Sequence, residues 1–280
     1  MTQNIIVHKI SRSSIEQLDF DLPDFDSITT ALPTGLYTTF RTYAGRTRVI
    51  GLRSHLERLY LPAKAQGFAP AFRQPSALRE ALAELLVPMD APEARVRLIL
   101  DTSVEMGIIY VLLQPMQTLP AEIYSNGVHV EVSRSSREKP ALKQTAFISE
   151  SAFDRNRVGD DVFEVLLTNK GRILEGMTSN FFYVRDGILC TAGRGVLIGV
   201  TRQTVITLAR QAGIKICFKA LALNEASFIE EAFITSSSRG VVPVVQIDAH
   251  PIANGAVGEM TKKLMKLYEE SILSLAEEII

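Results

Sequence analysis

The sequence predicts a mixed α/β protein of two domains: a small N-terminal α/β domain (residues 1–118) and a larger C-terminal domain (residues 119–280) built on a hairpin-rich sheet or barrel. The chain has 280 residues, of which 46% are hydrophobic, so it can form two substantial cores. Helical and strand patterns alternate in the first third, whereas short strands separated by turn signals dominate the later part of the chain. Residues 114–126 contain two prolines and show weak periodicity, which indicates a domain boundary.

The balance of charge excludes some classes of partner. The formal net charge is −1, so no overall basic field favours nucleic acid or an anionic membrane surface. Residues 1–14 lack the apolar core of a signal peptide, and charges interrupt the apolar runs before they reach membrane-spanning length. Cys190 and Cys217 lie in apolar segments typical of packed thiols. We therefore expect a soluble cytoplasmic protein without nucleic-acid or membrane partners.

The N-terminal domain is expected to start with a hairpin. Residues 35–51 predict two strands joined by a tight turn at Ala44 and Gly45. Ser54 and Glu57 have capping-box spacing, which predicts a helix starting there. Within that helix we expect Pro62 to produce a kink or an early end. A second amphipathic helix and an antiparallel strand pair are expected at residues 76–86, 94–102 and 106–116.

The C-terminal domain is predicted to contain a series of short strands and then two helices. Turn signals such as Asp186 and Gly187 separate these strands. A helix with apolar residues at helical spacing comes next and ends at Gly213, which is a favourable residue after a helix. An amphipathic C-terminal helix is expected to begin at about Gly258.

Common catalytic signatures are missing from the sequence. It contains no GxSxG elbow, no HExxH motif and no paired CxxC motif, and its four histidines are scattered without metal-ligand spacing. The segment GRGVLIG lacks the dinucleotide-binding pattern of glycines. We therefore expect no catalytic triad, no metal site and no Rossmann site.

Two segments have the character of anion-binding sites. Gly199 and Thr201 open a predicted helix, where free backbone N–H groups and a hydroxyl suit a phosphate. Thr201 as an ordinary helix cap is the alternative. Residues 235–240, TSSSRG, place four hydroxyls at the end of an apolar strand, as an anion-binding nest or as a polar loop.

Glu175 needs a compensating group. It lies between the apolar pair Ile173 and Leu174 and the strand FFYV, and a buried carboxylate is costly unless a cation, a donor or a ligand balances it. Pyridoxal 5′-phosphate would combine these features, because its ring nitrogen needs a carboxylate and its aldehyde needs a lysine. The ionised carboxylate would keep the ring nitrogen protonated.

Five segments, in this order and over nearly the whole chain, carry a family resemblance: GLYTTFR, SHLERL, EGMTSNFF, GVLIGVTR and AFITSSSRGVVPV. Together they resemble the class IV (fold type IV) pyridoxal-phosphate aminotransferases, a group that includes branched-chain aminotransferases, D-amino-acid aminotransferases and aminodeoxychorismate lyases. The resemblance implies a two-domain fold type IV enzyme that uses pyridoxal 5′-phosphate and forms a homodimer.

The resemblance also implies which lysine binds the cofactor. In the family this lysine lies a little over thirty residues before the strand-end glutamate, and Lys143 lies 32 positions before Glu175. Lys139, which precedes a proline in a polar run, and Lys170, in a predicted hairpin turn, are the competing lysines. An ordinary surface role for Lys143 is the alternative. Glu175 is expected to contact the ring nitrogen.

Further residues are assigned by the same matching of motifs. Arg58 resembles the family's phosphate-binding arginine, and a solvated helix arginine is the alternative. The remaining contacts are expected from Val200 and Thr201 to the phosphate, and from Ser237 to the phosphate or the substrate carboxylate. Contacts to the substrate are expected from Ser238, Thr39, Arg41 and Arg97. For the last two arginines, structural ion pairs are the alternative.

The function implied is transamination of branched-chain L-amino acids with 2-oxoglutarate as acceptor. Three alternatives stay open. The first is the aminodeoxychorismate lyase reaction. Thr38 and Thr39 lie in TTFR, which is similar to a stretch of those lyases in which a threonine assists the reaction. D-amino-acid transamination is the second, and a catalytically silent relative that binds a phosphorylated metabolite or acts as a scaffold is the third.

Overall fold

The computed structural model describes residues 5–71, 74–137, 140–159 and 161–280. These residues form two compact units. Unit 1 consists of the described parts of Met1–Gln117, Leu142–Glu150 and Ile272–Ile280. Unit 2 consists of those of Thr118–Ala141 and Ser151–Ser271. The division after Gln117 lies beside the expected boundary, and two later segments belong with unit 1. The two contiguous domains 1–118 and 119–280 stay a prediction.

Eight α-helices and one 3-10 helix occur in the described residues. The α-helices are α1 (Phe25–Ala31), α2 (Leu52–Ala65), α3 (Pro75–Leu86), α4 (Ala121–Asn126), α5 (Ala146–Glu150), α6 (Ala152–Arg155), α7 (Val200–Gln211) and α8 (Glu259–Leu275). The 3-10 helix spans Leu223–Phe228. None of the helices in the described part of the chain combines the length and the apolar character that crossing a bilayer requires.

Unit 1 contains one seven-stranded antiparallel sheet. Its strands are β1 (Ile6–Ile10), β2 (Ile15–Leu18), β3 (Gly35–Tyr43), β4 (Arg48–Ile50), β5 (Ala94–Asp101), β6 (Ile109–Pro115) and β17 (Ala276–Glu278). The order across the sheet is β17-β4-β3-β5-β6-β1-β2. Strand β3 lies near the centre and is buried along almost its whole length, so it can present side chains to both faces of the sheet.

Helix α2 starts earlier than its sequence signal predicts. Gly51 precedes it in the left-handed conformation, with φ of 64°, and no side chain caps the helix. Ser54 and Glu57 therefore lie inside the helix, and the capping-box prediction is wrong. The helix also continues past Pro62 to Ala65, so the predicted early end is wrong.

Unit 2 contains a mixed sheet that closes on itself. Its strands are β7 (Val128–Ser133), β8 (Glu164–Asn169), β9 (Arg172–Gly176), β10 (Asn180–Arg185), β11 (Ile188–Thr191), β12 (Ile216–Phe218), β13 (Leu221–Ala222), β14 (Glu231–Ser236), β15 (Gly240–Ile247) and β16 (His250–Pro251). Their order is β12-β11-β10-β14-β15-β7-β8-β9-β13, and β9 also pairs with β10. This last pairing makes a ring of six strands, β10-β14-β15-β7-β8-β9, so the predicted hairpin-rich sheet or barrel is confirmed.

Helices α7 and α8 confirm their sequence predictions. Helix α7 ends at Gln211. The N–H of the next residue, Ala212, donates to the Leu208 carbonyl, and Gly213 follows in the left-handed conformation with φ of 72°. Helix α8 begins one residue after the predicted Gly258.

Candidate active site

Glu175 occupies the position where the barrel of unit 2 closes. It is the last residue but one of β9, and its partner across the strands is Asn180, the first residue of β10. A tight turn brings the two together, with the Gly176 N–H bonding the Ser179 carbonyl at 2.9 Å. The EGMTSN segment thus forms a hairpin that fixes the backbone on both sides of the acid.

Protein groups surround the Glu175 carboxylate. Oε1 accepts a hydrogen bond from Arg137 Nε at 2.9 Å, while Oε2 accepts from the Leu197 N–H at 2.9 Å and from Asn180 Nδ2 at 3.2 Å. The ion pair is buried, with the side chains of Arg137 and Glu175 6% and 3% exposed. Arg137 also donates to the Met177 carbonyl at 2.6 Å. These donors compensate the buried charge, and they favour the ionised carboxylate.

The start of α7 lies against the same carboxylate group. Asn180 Nδ2 also donates to the Leu197 carbonyl at 2.8 Å. A Cβ at Gly199 would lie 2.0 Å from Asn180 Oδ1, so only glycine fits here without movement. Gly199 caps the helix without a side-chain bond, and Val200 and Thr201 are its first residues. Thr201 is therefore not an ordinary helix cap, and the first N–H groups of α7 have no acceptor within the helix.

A second arginine acts on Glu175 from α7. Arg202 is buried and donates from Nη2 to the Ala192 carbonyl at 2.8 Å, with its guanidinium over the Phe218 ring. Burial lowers the pKa of Arg202, and the charge of Glu175 opposes that shift. The carboxylate is thus influenced by two cations that the sequence alone did not single out.

The hydroxyl-rich segment forms the turn between β14 and β15. Residues 237–239 make this turn, and Ser237 and Ser238 are half-buried within it. Thr235 pairs with Asn180 across the strands, and its Oγ1 is buried with no hydrogen-bond partner in the described structure. A buried hydroxyl without a partner is costly, so this atom suits a polar ligand group.

The groups of unit 2 fit the two charged ends of pyridoxal 5′-phosphate. An ionised Glu175 suits a protonated ring nitrogen, and a helix start with free N–H groups suits a phosphate. The unsatisfied hydroxyl of Thr235 adds a donor beside them.

Lys143 belongs to unit 1, where strand β3 fixes its backbone. The Tyr37 N–H donates to the Lys143 carbonyl at 2.8 Å, and the Thr145 N–H donates to the Gly35 carbonyl at 2.9 Å. The ammonium group of Lys143 lies over the Tyr37 ring, 4.8 Å from its centre. A cation over an aromatic face is held by the ring quadrupole, so Tyr37 orients this side chain.

The buried imidazole of His55 lies near two cations of unit 1, Lys143 and Arg58. His55 is fully buried in α2, and its Nδ1 lies 2.6 Å from Thr38 Oγ1. Burial lowers the pKa of His55 well below its ordinary range, and the charges of Arg58 and Lys143 lower it further. His55 is therefore neutral at neutral pH. Helix α2 also carries Arg58, one turn from His55, so Lys143, Arg58 and Thr38 all lie around this ring.

The predicted substrate arginines have partners within unit 1. Arg41 forms an ion pair with Glu93. Arg97 is buried and donates to Asp26 at 2.7 Å, with its Nε donating to Thr39 Oγ1 at 3.1 Å. These contacts are those of structural arginines, and the substrate role of both stays a prediction.

Sequence reasoning missed the residues that support the predicted site. Arg137 lies outside the five segments of the resemblance, and His55 lies within SHLERL, where only Arg58 was given a role. The competing Lys139 lies outside the described residues, and Lys170 is exposed in the turn between β8 and β9.

The chain matches known proteins over most of its length. The sequence profile of the amino-transferase class IV family matches residues 35–247. A relative in Methanocaldococcus jannaschii, provisionally named a branched-chain-amino-acid aminotransferase, is 30% identical over 253 residues, which are 84% of this chain and 86% of that one. A D-alanine aminotransferase of Bacillus licheniformis is 35% identical over 114 residues, 40% of each chain.

The fold is shared with a solved structure as well. A crystal structure of a provisionally named branched-chain amino acid aminotransferase from Thermotoga maritima has a TM-score of 0.80 and 26% identity, covering 95% of this chain and 96% of that chain. Because the family match spans well over half of the sequence, this chain belongs to the class IV aminotransferases.

Proposed function

We propose that this aminotransferase binds pyridoxal 5′-phosphate and moves the amino group of branched-chain L-amino acids to a 2-oxo acid such as 2-oxoglutarate. The observation that carries the cofactor assignment is the buried Glu175 carboxylate, which Arg137, Asn180 and the Leu197 N–H hold in place. The substrate class is inferred from relatives that bear the branched-chain name.

The roles in unit 2 are binding and charge stabilisation. Glu175 would hold the proton on the ring nitrogen, because Arg137 stabilises the carboxylate and makes it a poor proton acceptor. The N–H groups of Val200 and Thr201 and the hydroxyl of Ser237 would bind the phosphate. Ser238 would bind the substrate carboxylate. When bound, the cofactor supplies an aldehyde for the amino group and a ring that accepts the electrons of the Cα carbanion.

The roles in unit 1 are attachment and proton transfer. Lys143 Nζ would bind the cofactor aldehyde and, once displaced by an amino acid, move the Cα proton as a general base. Arg58 would bind the phosphate as a second cation. Thr39, Arg41 and Arg97 are proposed to shape the substrate pocket.

The test is an assay of the purified protein loaded with pyridoxal 5′-phosphate. We expect leucine plus 2-oxoglutarate to yield 4-methyl-2-oxopentanoate and glutamate, measured by chromatography of both products. Formation of pyruvate and 4-aminobenzoate from aminodeoxychorismate, with no product from leucine, would instead assign the lyase reaction that Thr38 and Thr39 suggest. Inactivity with both of these and with D-alanine, in a protein that binds the cofactor, would assign a silent relative.

D-amino-acid transamination is the second candidate. The likeness to the D-alanine aminotransferase of Bacillus licheniformis favours it, although that likeness covers 40% of this chain. Parallel assays with D-alanine and L-leucine decide between the two, since the enzyme should accept one enantiomeric series and reject the other.

We further propose a homodimer of two-domain subunits, with domains 1–118 and 119–280. Light scattering of the active species at twice the chain mass of 30.9 kDa would support the dimer, and a strictly monomeric active species would refute it.

A further inference from the structure

We propose that Arg239 is a positioning residue that, through an ion pair with the buried Glu164, sets the turn of residues 237–239 for binding the substrate carboxylate. The inference rests on the proposed function, because that turn carries Ser237 and Ser238. Glu164 lies outside the five segments of the resemblance, and Arg239, although it lies in AFITSSSRGVVPV, was given no role there.

Glu164 is an acid at least as deeply buried as Glu175. Its side chain is 2% exposed, and it is the first residue of β8. Oε2 accepts hydrogen bonds from Arg239 Nη2 at 3.2 Å, from Ser179 Oγ at 3.2 Å and from Thr178 Oγ1. A carboxylate in this position is tolerated only because these donors and one arginine balance it.

The loop that follows Glu175 is built around Glu164. A Cβ at Gly176 would lie 3.0 Å from Glu164 Cγ and 2.2 Å from Ser179 Oγ, so the loop packs closely on the acid. Thr178 donates to the acid from both its backbone N–H, at 3.3 Å, and its hydroxyl. Glu164 therefore fixes residues 176–179, which lead directly from Glu175 to Asn180.

Arg239 connects that loop to the turn of residues 237–239. Its Nε donates to Ser236 Oγ at 3.1 Å, and its Nη2 donates to Thr178 Oγ1 as well as to Glu164. Its carbonyl accepts from the Tyr124 hydroxyl at 2.9 Å. The guanidinium lies over the Phe163 ring, 5.2 Å from its centre.

One side chain thus joins two loops that carry different predicted roles. Residues 176–179 lie beside the cofactor carboxylate Glu175, while Ser237 and Ser238 lie in the turn that Arg239 holds. A planar guanidinium donates in fixed directions, so it sets the distance and angle between the two loops in a way that a lysine cannot. Loosening the turn should misplace the Ser237 and Ser238 donors before it affects Glu175.

The experiment compares variants of the holoenzyme. We would measure KM and kcat for the amino donor, the dissociation constant of pyridoxal 5′-phosphate, and by calorimetry the affinity for 4-methylpentanoate, a carboxylate that cannot react. The variants are Arg239→Gln and Arg239→Lys. The control is Arg185→Gln, which breaks the surface pair of Arg185 with Glu225 in the same unit.

For Arg239→Gln we expect KM and the 4-methylpentanoate dissociation constant to rise about tenfold, since a charge-assisted hydrogen bond is lost. We expect kcat to change less than about twofold, and cofactor affinity to fall by a smaller factor than carboxylate affinity, because Ser237 is one of several proposed phosphate donors. Arg239→Lys should recover part of the loss, because it restores the charge beside Glu164. The Arg185→Gln control should match the parent enzyme.

Two results would overturn the inference. One is KM and carboxylate affinity equal to those of the control. The other is a joint loss of carboxylate binding, cofactor binding and thermal stability, which marks a purely structural pair. Calorimetry keeps the test independent of turnover: a parent holoenzyme that binds 4-methylpentanoate without transaminating leucine contradicts the proposed function alone. A parent that binds no carboxylate contradicts this inference.

Discussion

The two units stabilise their predicted active-site charges in opposite ways. In unit 2, each buried acid is paired with an arginine, Glu175 with Arg137 and Glu164 with Arg239. In unit 1, the ammonium of Lys143 lies over the Tyr37 ring, and the surroundings keep the nearby imidazole neutral. The acids of unit 2 are thus preorganised by the protein itself. The amine of unit 1 lies over the Tyr37 ring, which it shares with the Arg97 guanidinium.

Replacing the lysine should have the largest effect. Lys143→Ala removes the proposed general base, so we expect kcat to fall about a thousandfold. Lys170→Ala, in an exposed turn, is the matched control and should leave kcat unchanged. Steady-state assays with leucine and 2-oxoglutarate measure both. Equal activities of the two variants would remove Lys143 from the mechanism.

The next largest effect is expected from neutralising Glu175. Glu175→Gln keeps the shape of the side chain but leaves Arg137 without its anion, so the free energy of unfolding should fall by about 3 kcal/mol. Activity should fall about 100-fold through loss of electrostatic stabilisation. Urea unfolding and the same steady-state assay measure these effects.

A double variant separates stability from catalysis in that pair. Arg137→Met added to Glu175→Gln removes the cation that faced the replaced acid, and we expect recovery of about 2 kcal/mol of stability without recovery of activity. Activity returning together with stability would show that Glu175 acts only as a structural group.

A smaller effect is expected at the start of α7. Gly199→Ala places a Cβ 2.0 Å from Asn180 Oδ1, so Asn180 has to move away from Glu175. We expect the dissociation constant of pyridoxal 5′-phosphate to rise about tenfold, measured by absorbance titration. Gly159→Ala, where a Cβ meets open space, should bind the cofactor as the parent does. Unchanged binding in Gly199→Ala would place the phosphate elsewhere.

The smallest effect concerns the pH dependence of stability, and it tests whether unit 1 keeps His55 neutral. His55 stays neutral in the fold, whereas in the unfolded chain it takes up a proton below its ordinary pKa of about 6.5. Its contribution to stability is therefore fully present above that pH and is lost as the pH falls through it.

This loss can be measured by urea unfolding at two pH values. Between about pH 7.5 and pH 5.5, it should amount to about 1.4 kcal/mol in the parent. In His55→Gln, the difference in the free energy of unfolding between the two pH values should be smaller by that amount. In His250→Gln, whose side chain is exposed, the difference should equal that of the parent. An unchanged difference in His55→Gln would show that the imidazole is not held neutral.

The sequence allowed prediction of the strands and helices whose periodicity is strong, and it located Glu175 as an acid in need of compensation. It did not reveal Arg137 as the compensating residue. Arg137 follows β7, which does not pair with β9 because β8 lies between them, so the ion pair depends on the sheet order and on no local pattern. The sequence suggested the protonated ring nitrogen of the cofactor as the cation that balances Glu175. The structure adds a second cation, Arg137, from the protein itself.

The start of α2 shows a similar limit. The capping-box spacing of Ser54 and Glu57 is a local signal, but Gly51 in the left-handed conformation starts the helix three residues earlier. Backbone freedom at one glycine overrides a side-chain preference, and it places His55 and Arg58 one turn deeper in the helix than the capping box implies.

The most direct test of the cofactor assignment is to reduce the cofactor-loaded protein with borohydride and to map the labelled peptide by mass spectrometry. We predict a yellow protein that loses its colour on reduction and carries the cofactor on Lys143. A label on another lysine, or a colourless protein that takes up no added pyridoxal 5′-phosphate, would contradict the assignment of Lys143 and Glu175 to this cofactor.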